Sequence, residues 1–244
     1  MPPTAPCWQD ADAYAHLLGA GRSVFAWEGL RRNAAYRAEF EAGASGMAER
    51  WGLVCPAPPS LAFQAAAPLW RREAHPHVLE ATVLPACDDP SDHIAPALWS
   101  GAAAVHASHG VRHILFTDGL HALRLDLSAS RAGPWPVRIG YRIAGLTSAK
   151  APLATLQRWL RFASTGTFTG ALFPAEARAR RWVLLLRAHD ALAFGATQRQ
   201  IAQHLIARVA PSNWRTEDPA LRLRAQRLAR DARDFVRTGW RRLL

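Results

Sequence analysis

The apolar positions of this 244-residue chain change period twice along its length. Over residues 1–50 they recur at helical spacing. Asp10 can cap a helix that puts Ala11, Tyr14, Ala15 and Leu18 on one face, and Gly19-Ala20-Gly21 ends it. Tyr36 and Phe40 continue the helical period, and Pro56-Ala57-Pro58-Pro59 closes the region as a loop. The middle has a period of two. Val78 to Leu84 is β-prone, and residues 85–110 read as loop with one helical turn near Ala95 to Val105. His113 to Phe116 and Ala122 to Leu127 are strands joined at Asp118-Gly119, a pair suited to a tight hairpin turn. Leu123, Leu125 and Leu127 alternate with Arg124 and Asp126, and Val137, Ile139, Tyr141 and Ile143 alternate with Arg138, Gly140 and Arg142. From Pro152 the period becomes helical again, with Leu153, Leu156 and Leu160 in register and Gly166 and Gly170 as breaks.

Three helices follow. The first spans about Ala175 to Phe194, with Trp182, Leu185, Leu186 and Leu192 inward and Gly195 as its cap. The second starts at Thr197, where Thr197-Gln198-Arg199-Gln200 has the form of a capping box ahead of Ile201, Ala202 and Leu205. The third starts with Asp218 as cap and Pro219 in the first turn, and ends near Thr238-Gly239. The pattern therefore predicts an α+β fold that is mainly helical. It has a small antiparallel sheet in the middle and a three-helix, helix-turn-helix-like unit at the C-terminal end. The expected divisions are an N-terminal helical region (1–76), a small β-rich middle (77–150) and a C-terminal helical DNA-binding domain (151–244).

Charge narrows the function. The net charge is +11, half of the residues are hydrophobic and the mean hydropathy is −0.10. This describes a globular chain that meets a polyanion. Between Arg178 and Leu244 there are fifteen Arg, no Lys and five acidic residues, whereas the other 177 residues hold 15 basic and 14 acidic ones. Nearly all the excess charge thus lies in the last quarter. On the third helix, Leu221, Ala225, Leu228, Ala232, Phe235 and Val236 form an apolar stripe. Arg222, Gln226, Arg227, Arg230, Arg233 and Arg237 cover the opposite side. Such a face can enter a major groove, because the arginine fork pairs with guanine and contacts phosphate. A purely solubilising face mixes signs more evenly. Gln198 and Arg199 at the start of the second helix, and Arg215 in the link before the third, complete the expected DNA-binding set. That link, from Arg208 to Asp218, is longer than the three or four residues of a compact helix-turn-helix. It also contains Pro211 and Trp214, and the tryptophan is read as packing in the core.

Other chemistry finds little support. No apolar run reaches the ~18 residues that span a bilayer, and no secretion signal opens the chain, so a cytoplasmic, nucleoid-associated protein with no membrane partner is expected. Cys7, Cys55 and Cys87 are odd in number and widely spaced, which argues against a disulfide framework. His106, His109 and His113, or His75 and His77 with Cys87 and His93, do not complete a zinc set. Asp88, Asp89 and Asp92 read as a solvated loop. With no nucleophile or phosphate-loop motif, neither an enzyme nor a cofactor is expected.

Two stretches resemble a known family. One runs from Arg187 through His189, Asp190, Gly195 and Thr197 to Ala202, followed by Trp214 and the closing Gly239-Trp240-Arg241-Arg242-Leu243-Leu244. It is similar to a proteobacterial domain of unknown function. That domain is found in FseA-like excision activators of integrative and conjugative elements, in their small antiactivators, and in a RovC-like hexameric activator of type VI secretion. The other, Trp27-Glu28 with Leu30-Arg31-Arg32-Asn33 and Tyr36-Arg37, resembles the partner domain of the activators. Pro136 to Ile143 resembles the strand before the C-terminal helices. Gln200 stands where the family commonly has an acidic residue, and a glutamine caps as well. The resemblance implies double-stranded DNA as partner, transcriptional activation and self-association into a homo-oligomer, with RNA polymerase or an antiactivator as further partners. A protein-interaction module would instead use the basic helix to dock an acidic protein, and an excision factor would bend DNA at attachment sites.

Overall fold

The computed structural model describes residues 7–85, 89–94, 96–128, 137–207 and 217–244. In chain order its regular elements are α1 (Arg22–Leu30), α2 (Ala34–Glu41), α3 (Met47–Arg50), α4 (Phe63–Ala66), β1 (Val78–Leu84), α5 (Pro96–Ser100), β2 (Ala104–Ser108), β3 (Val111–Thr117), β4 (Ala122–Ser128), β5 (Arg138–Arg142), α6 (Lys150–Thr165), α7 (Ala179–Ala193), α8 (Gln198–Ile201) and α9 (Pro219–Arg237). The fold is α+β, and the residues form two compact units. A central unit comprises Glu39–Pro174, and a terminal unit joins Met1–Ala38 to Ala175–Leu243.

The central unit is built on one sheet of order β2-β3-β4-β1-β5. The expected antiparallel sheet is corrected in one respect, since β1 lies parallel to β4 and Leu79 stands beside Leu125. The sheet is therefore mixed. Between β1 and β4 the chain runs through α5 and the β2-β3-β4 meander, and this crossover brings β4 back beside β1 in the same direction. Side-chain alternation fixes which face is buried, but it carries no information on strand order or direction. Leu79, Ala81 and Val83 of β1, Ile114 and Phe116 of β3, and Leu123, Leu125 and Leu127 of β4 are all buried, in one cluster with Trp159 and Phe162 of α6.

β2 lies where the sequence pattern reads loop. It is rich in alanine, so its period of two is faint, and pairing with β3 makes it a strand. The turn between them, His109-Gly110, has φ of 50° and 74°. Two consecutive left-handed residues match the twist of a two-residue hairpin. The β3–β4 turn is stiffened by Asp118, whose Oδ1 accepts from the amides of Leu120 and His121 at 2.9 and 2.7 Å. α6 buries Thr155, Trp159 and Phe162, while Leu153 and Leu160 stay exposed. Of the leucine stripe only Leu156 packs against the core, beside the aromatic side chains, with Trp159 Nε1 donating to the Tyr141 hydroxyl at 2.8 Å.

In the terminal unit, α1 is buried along its whole length, from Ser23 to Leu30. It packs with α7, α9 and the closing turn Gly239–Leu243. Phe25 meets Trp182 edge-on at 4.9 Å, and Trp240 sits on Gly29 so closely that a β-carbon there would lie 2.7 Å from the Trp240 Cβ.

Candidate nucleic-acid interface

The candidate interface lies on α7, α8 and α9 in the terminal unit. α7 ends at Ala193, and Gly195 with φ of 77° supplies the left-handed residue that turns the chain. α8 starts with the expected capping box. Thr197 Oγ1 accepts from the Gln200 amide at 3.3 Å, and Gln200 Oε1 accepts from the Thr197 amide at 2.8 Å. Gln198 and Arg199 are exposed on this short helix, while Ile201 and Ala202 are buried behind it. A π-helical turn over Ala202–Ile206 follows. Arg215, with Pro211 and Trp214, lies outside the described residues.

α9 begins as its sequence dictates. Asp218 Oδ1 accepts from the Leu221 amide at 2.8 Å, and Pro219 occupies the first turn. Its apolar stripe, Leu221, Ala225, Leu228, Ala232, Phe235 and Val236, is entirely buried, joined by Ala229. Gln226, Arg227, Arg230, Arg233 and Arg237 are exposed, and Arg222 is half-buried with its Nε sequestered. At 100° per residue, Arg222, Gln226, Arg230, Arg233 and Arg237 share a band about 80° wide on one flank. Arg227 falls outside that band. It lines a shallow hollow of about 360 Å³ with Arg181 and Arg224, over an apolar floor that includes Leu184 and Leu205. Arg181 and Arg224 were not singled out by the helical wheel of α9 alone. One belongs to another helix, and the other lies beside the apolar stripe.

Local carboxylates answer part of this charge. Arg237 pairs with Asp234 at 2.7 Å, Arg181 pairs with Asp231 at 2.6 Å, and Arg230 stands 3.6 Å from Asp231. Among the described residues Arg199, Arg224, Arg227 and Arg233 make no ion pair. The surface is therefore net cationic, and arginine heads that are exposed in this way can fork onto phosphate or a base edge.

A buried polar network that composition alone does not reveal holds these helices on α1. Arg32 donates to both oxygens of Asp190, at 2.8 Å from Nε and 2.9 Å from Nη2, and also pairs with Glu28, which Arg31 meets at 2.8 Å. The Tyr14 hydroxyl donates to Asp190 at 2.7 Å. Burial alone would raise the Asp190 carboxyl. The His189 ring nitrogen 3.6 Å away and the Arg32 and Tyr14 donors outweigh that and hold it well below the usual carboxylate range. Glu28 is likewise held low: burial opposes ionisation, but Arg32 and then Arg31 prevail. Burial, and then the Asp190 charge, push the Tyr14 hydroxyl above its ordinary range, so it remains a donor. Asn33 joins two helix ends. Its Oδ1 accepts from the amides of Ala35 and Tyr36 at the start of α2, while its Nδ2 donates to the carbonyls of Val236 and Arg237 at 3.0 and 3.1 Å, at the end of α9.

The polar face of the central sheet forms a separate open hollow of about 640 Å³. Ser108 Oγ lies 2.9 Å from His113 Nε2, and His113 Nδ1 lies 2.7 Å from Asp126. The order is that of a hydrolytic triad. Arg124, however, sits on the same carboxylate at 2.5 Å and 3.0 Å from the same ring nitrogen, so the carboxylate is already neutralised. The cluster is a cross-strand polar network centred on Arg124, whose Nη1 and Nη2 are engaged while its buried Nε has no partner among the described residues. Among the described residues no group of His, Cys, Asp or Glu is arranged to hold a metal ion, and no helix is long and apolar enough to cross a membrane.

Comparison with known families agrees with this geometry. Residues 143–244, which contain α6 to α9, match the family described as T6SS, transcription factor, DNA binding domain, of RovC type. Residues 7–56 match the proteobacterial transcriptional regulator-like domain. No curated protein matches the chain. Both families consist of transcription factors, a non-enzymatic class, and the buried network above joins residues of one match, Tyr14, Glu28 and Arg32, to Asp190 of the other. The chain thus carries a proteobacterial transcriptional regulator-like domain followed by a RovC-type transcription-factor DNA-binding domain.

Proposed function

We propose that the protein is a sequence-specific transcriptional activator, at home on the nucleoid, that binds double-stranded DNA through a helix-turn-helix-like unit of α7, α8 and α9. The observation that carries this reading is the split character of α9, a 19-residue helix with every stripe residue buried and Gln226, Arg230, Arg233 and Arg237 exposed along one band, inside a segment matching a DNA-binding family. In this reading Arg222, Gln226, Arg230, Arg233 and Arg237 face the groove. Gln198 and Arg199 approach the backbone beside it, Arg215 is a further phosphate contact, and Arg227 reaches phosphate from the other flank. The protein acts as a homo-oligomer on the promoter of a secretion-type or mobile-element operon, with RNA polymerase or an antiactivator as a further partner.

The experiment is fluorescence anisotropy with DNA from upstream of the coding sequence. Replacing Arg230 or Arg233 by alanine should weaken binding by about 1–3 kcal/mol if that side chain reads a base. If the double variant keeps wild-type affinity and selectivity, α9 is not the reader.

A further inference from the structure

The two edges of the central sheet differ in chemistry. β5, at one edge, carries Arg138 and Arg142 at its ends, and Val137 beside it is bridged to Ile94. Charge and cover of this kind keep an edge from pairing with another chain. β2, at the other edge, has neither. Its residues, Ala104 to Ser108, include no Lys, Arg, Asp, Glu or Pro. Among the described residues β2 pairs with β3 alone, so one row of its backbone N–H and C=O groups has no strand beside it. Val105 shares a face with its cross-strand partner Ile114, which is in the core, yet Val105 is 60 % exposed. The apolar layer therefore stays open where the sheet stops.

We propose that β2 is the interface through which two copies of this chain associate, antiparallel and edge to edge, as one continuous ten-stranded sheet. Unpaired strand backbone selects an extended strand as its occupant. Two identical strands related by a two-fold axis run antiparallel and are self-complementary. No like charges meet in β2 on β2, whereas β5 on β5 sets arginines against arginines. β2 on β5 is head-to-tail and runs on into a filament, while β2 on β2 closes at two copies. The pairing also lays Val105 of each copy against apolar surface of the other. This interface rests on the self-association in the reading above, but its test needs no DNA. A contact of one five-residue strand is smaller than the roughly 1,200 Å² of a standard stable interface, so the dimer comes apart on dilution.

Sedimentation velocity of the full chain over a concentration series tests this. The wild type should move from its monomer mass of 26.8 kDa towards twice that value as concentration rises. Val105→Lys and Ala107→Pro should stay monomeric with an unchanged unfolding temperature. Hydrogen exchange on the wild type provides a check that needs no variant: amides of Ala104 to Ser108 should slow as the dimer forms. A wild type that remains monomeric, folded variants that associate like the wild type, or dimerisation with unchanged exchange in β2 would each overturn the proposal. A dimer that ignores DNA would count against the DNA reading alone.

Discussion

Asp190 shows most clearly what single residues do in this molecule. It is an acid in the most basic quarter of the chain, and it is spent on structure: with Tyr14, Glu28 and Arg32 it ties α7 to α1. Buried pairs of this kind bring little net stability when intact, because desolvation offsets attraction, but breaking one strands a charge. Asp190→Ala should therefore cost about 3–5 kcal/mol in denaturant unfolding, since Arg32 would remain buried with half of its partners gone. The same network sets a direction for acid. Asp190 and Glu28 titrate lower in the folded state than in the unfolded chain, so their contribution is complete above about pH 5 and is lost as pH falls further. Unfolding free energy measured from pH 6 down to pH 3 should decline below about pH 5, and less steeply in Asp190→Ala. A decline of equal steepness in both proteins would show that other groups dominate.

Helix termini were the most legible elements. The Thr197–Gln200 box, the Asp218 cap with Pro219, and the Gly195 turn could each be read from three or four adjacent letters, because capping chemistry is local. The stripe of α9 was equally plain, being one helix with one period. The strand β2 and the parallel β1–β4 pair were not legible. The first takes its shape from a partner strand, and the second from a long crossover. The role of Asn33 was also hidden, since it depends on contacts with residues some two hundred positions away. Asn33→Ala removes the acceptor at the start of α2 and both donors at the end of α9. We expect a loss of about 1–3 kcal/mol in thermal or denaturant unfolding, with faster hydrogen exchange at the last turn of α9. Wild-type stability in this variant would mean that water or neighbouring groups take over both caps.

For the whole molecule, the charge ledger and the fold point the same way. The excess of positive charge is segregated in the segment that forms α7, α8 and α9, and the N-terminal helices serve to hold those helices. The wheel set Arg222, Gln226, Arg227, Arg230, Arg233 and Arg237 on one face; five of them share the band on α9, and Arg227 lies on the other flank. Arg181 and Arg224 were not singled out, because the hollow they line with Arg227 exists only when α7 and α9 are packed together. The cationic surface can therefore be read in part from one helix, while its full width emerges only from the fold. In the proposed function this face recognises a DNA sequence and does more than attract a polyanion. The direct measurement is anisotropy with DNA from upstream of the coding sequence, titrated across a salt series against a scrambled competitor. Sequence recognition predicts binding that persists near physiological salt and outlasts the competitor. Binding that collapses with salt and treats both sequences alike would reflect counterion release only, and would contradict it.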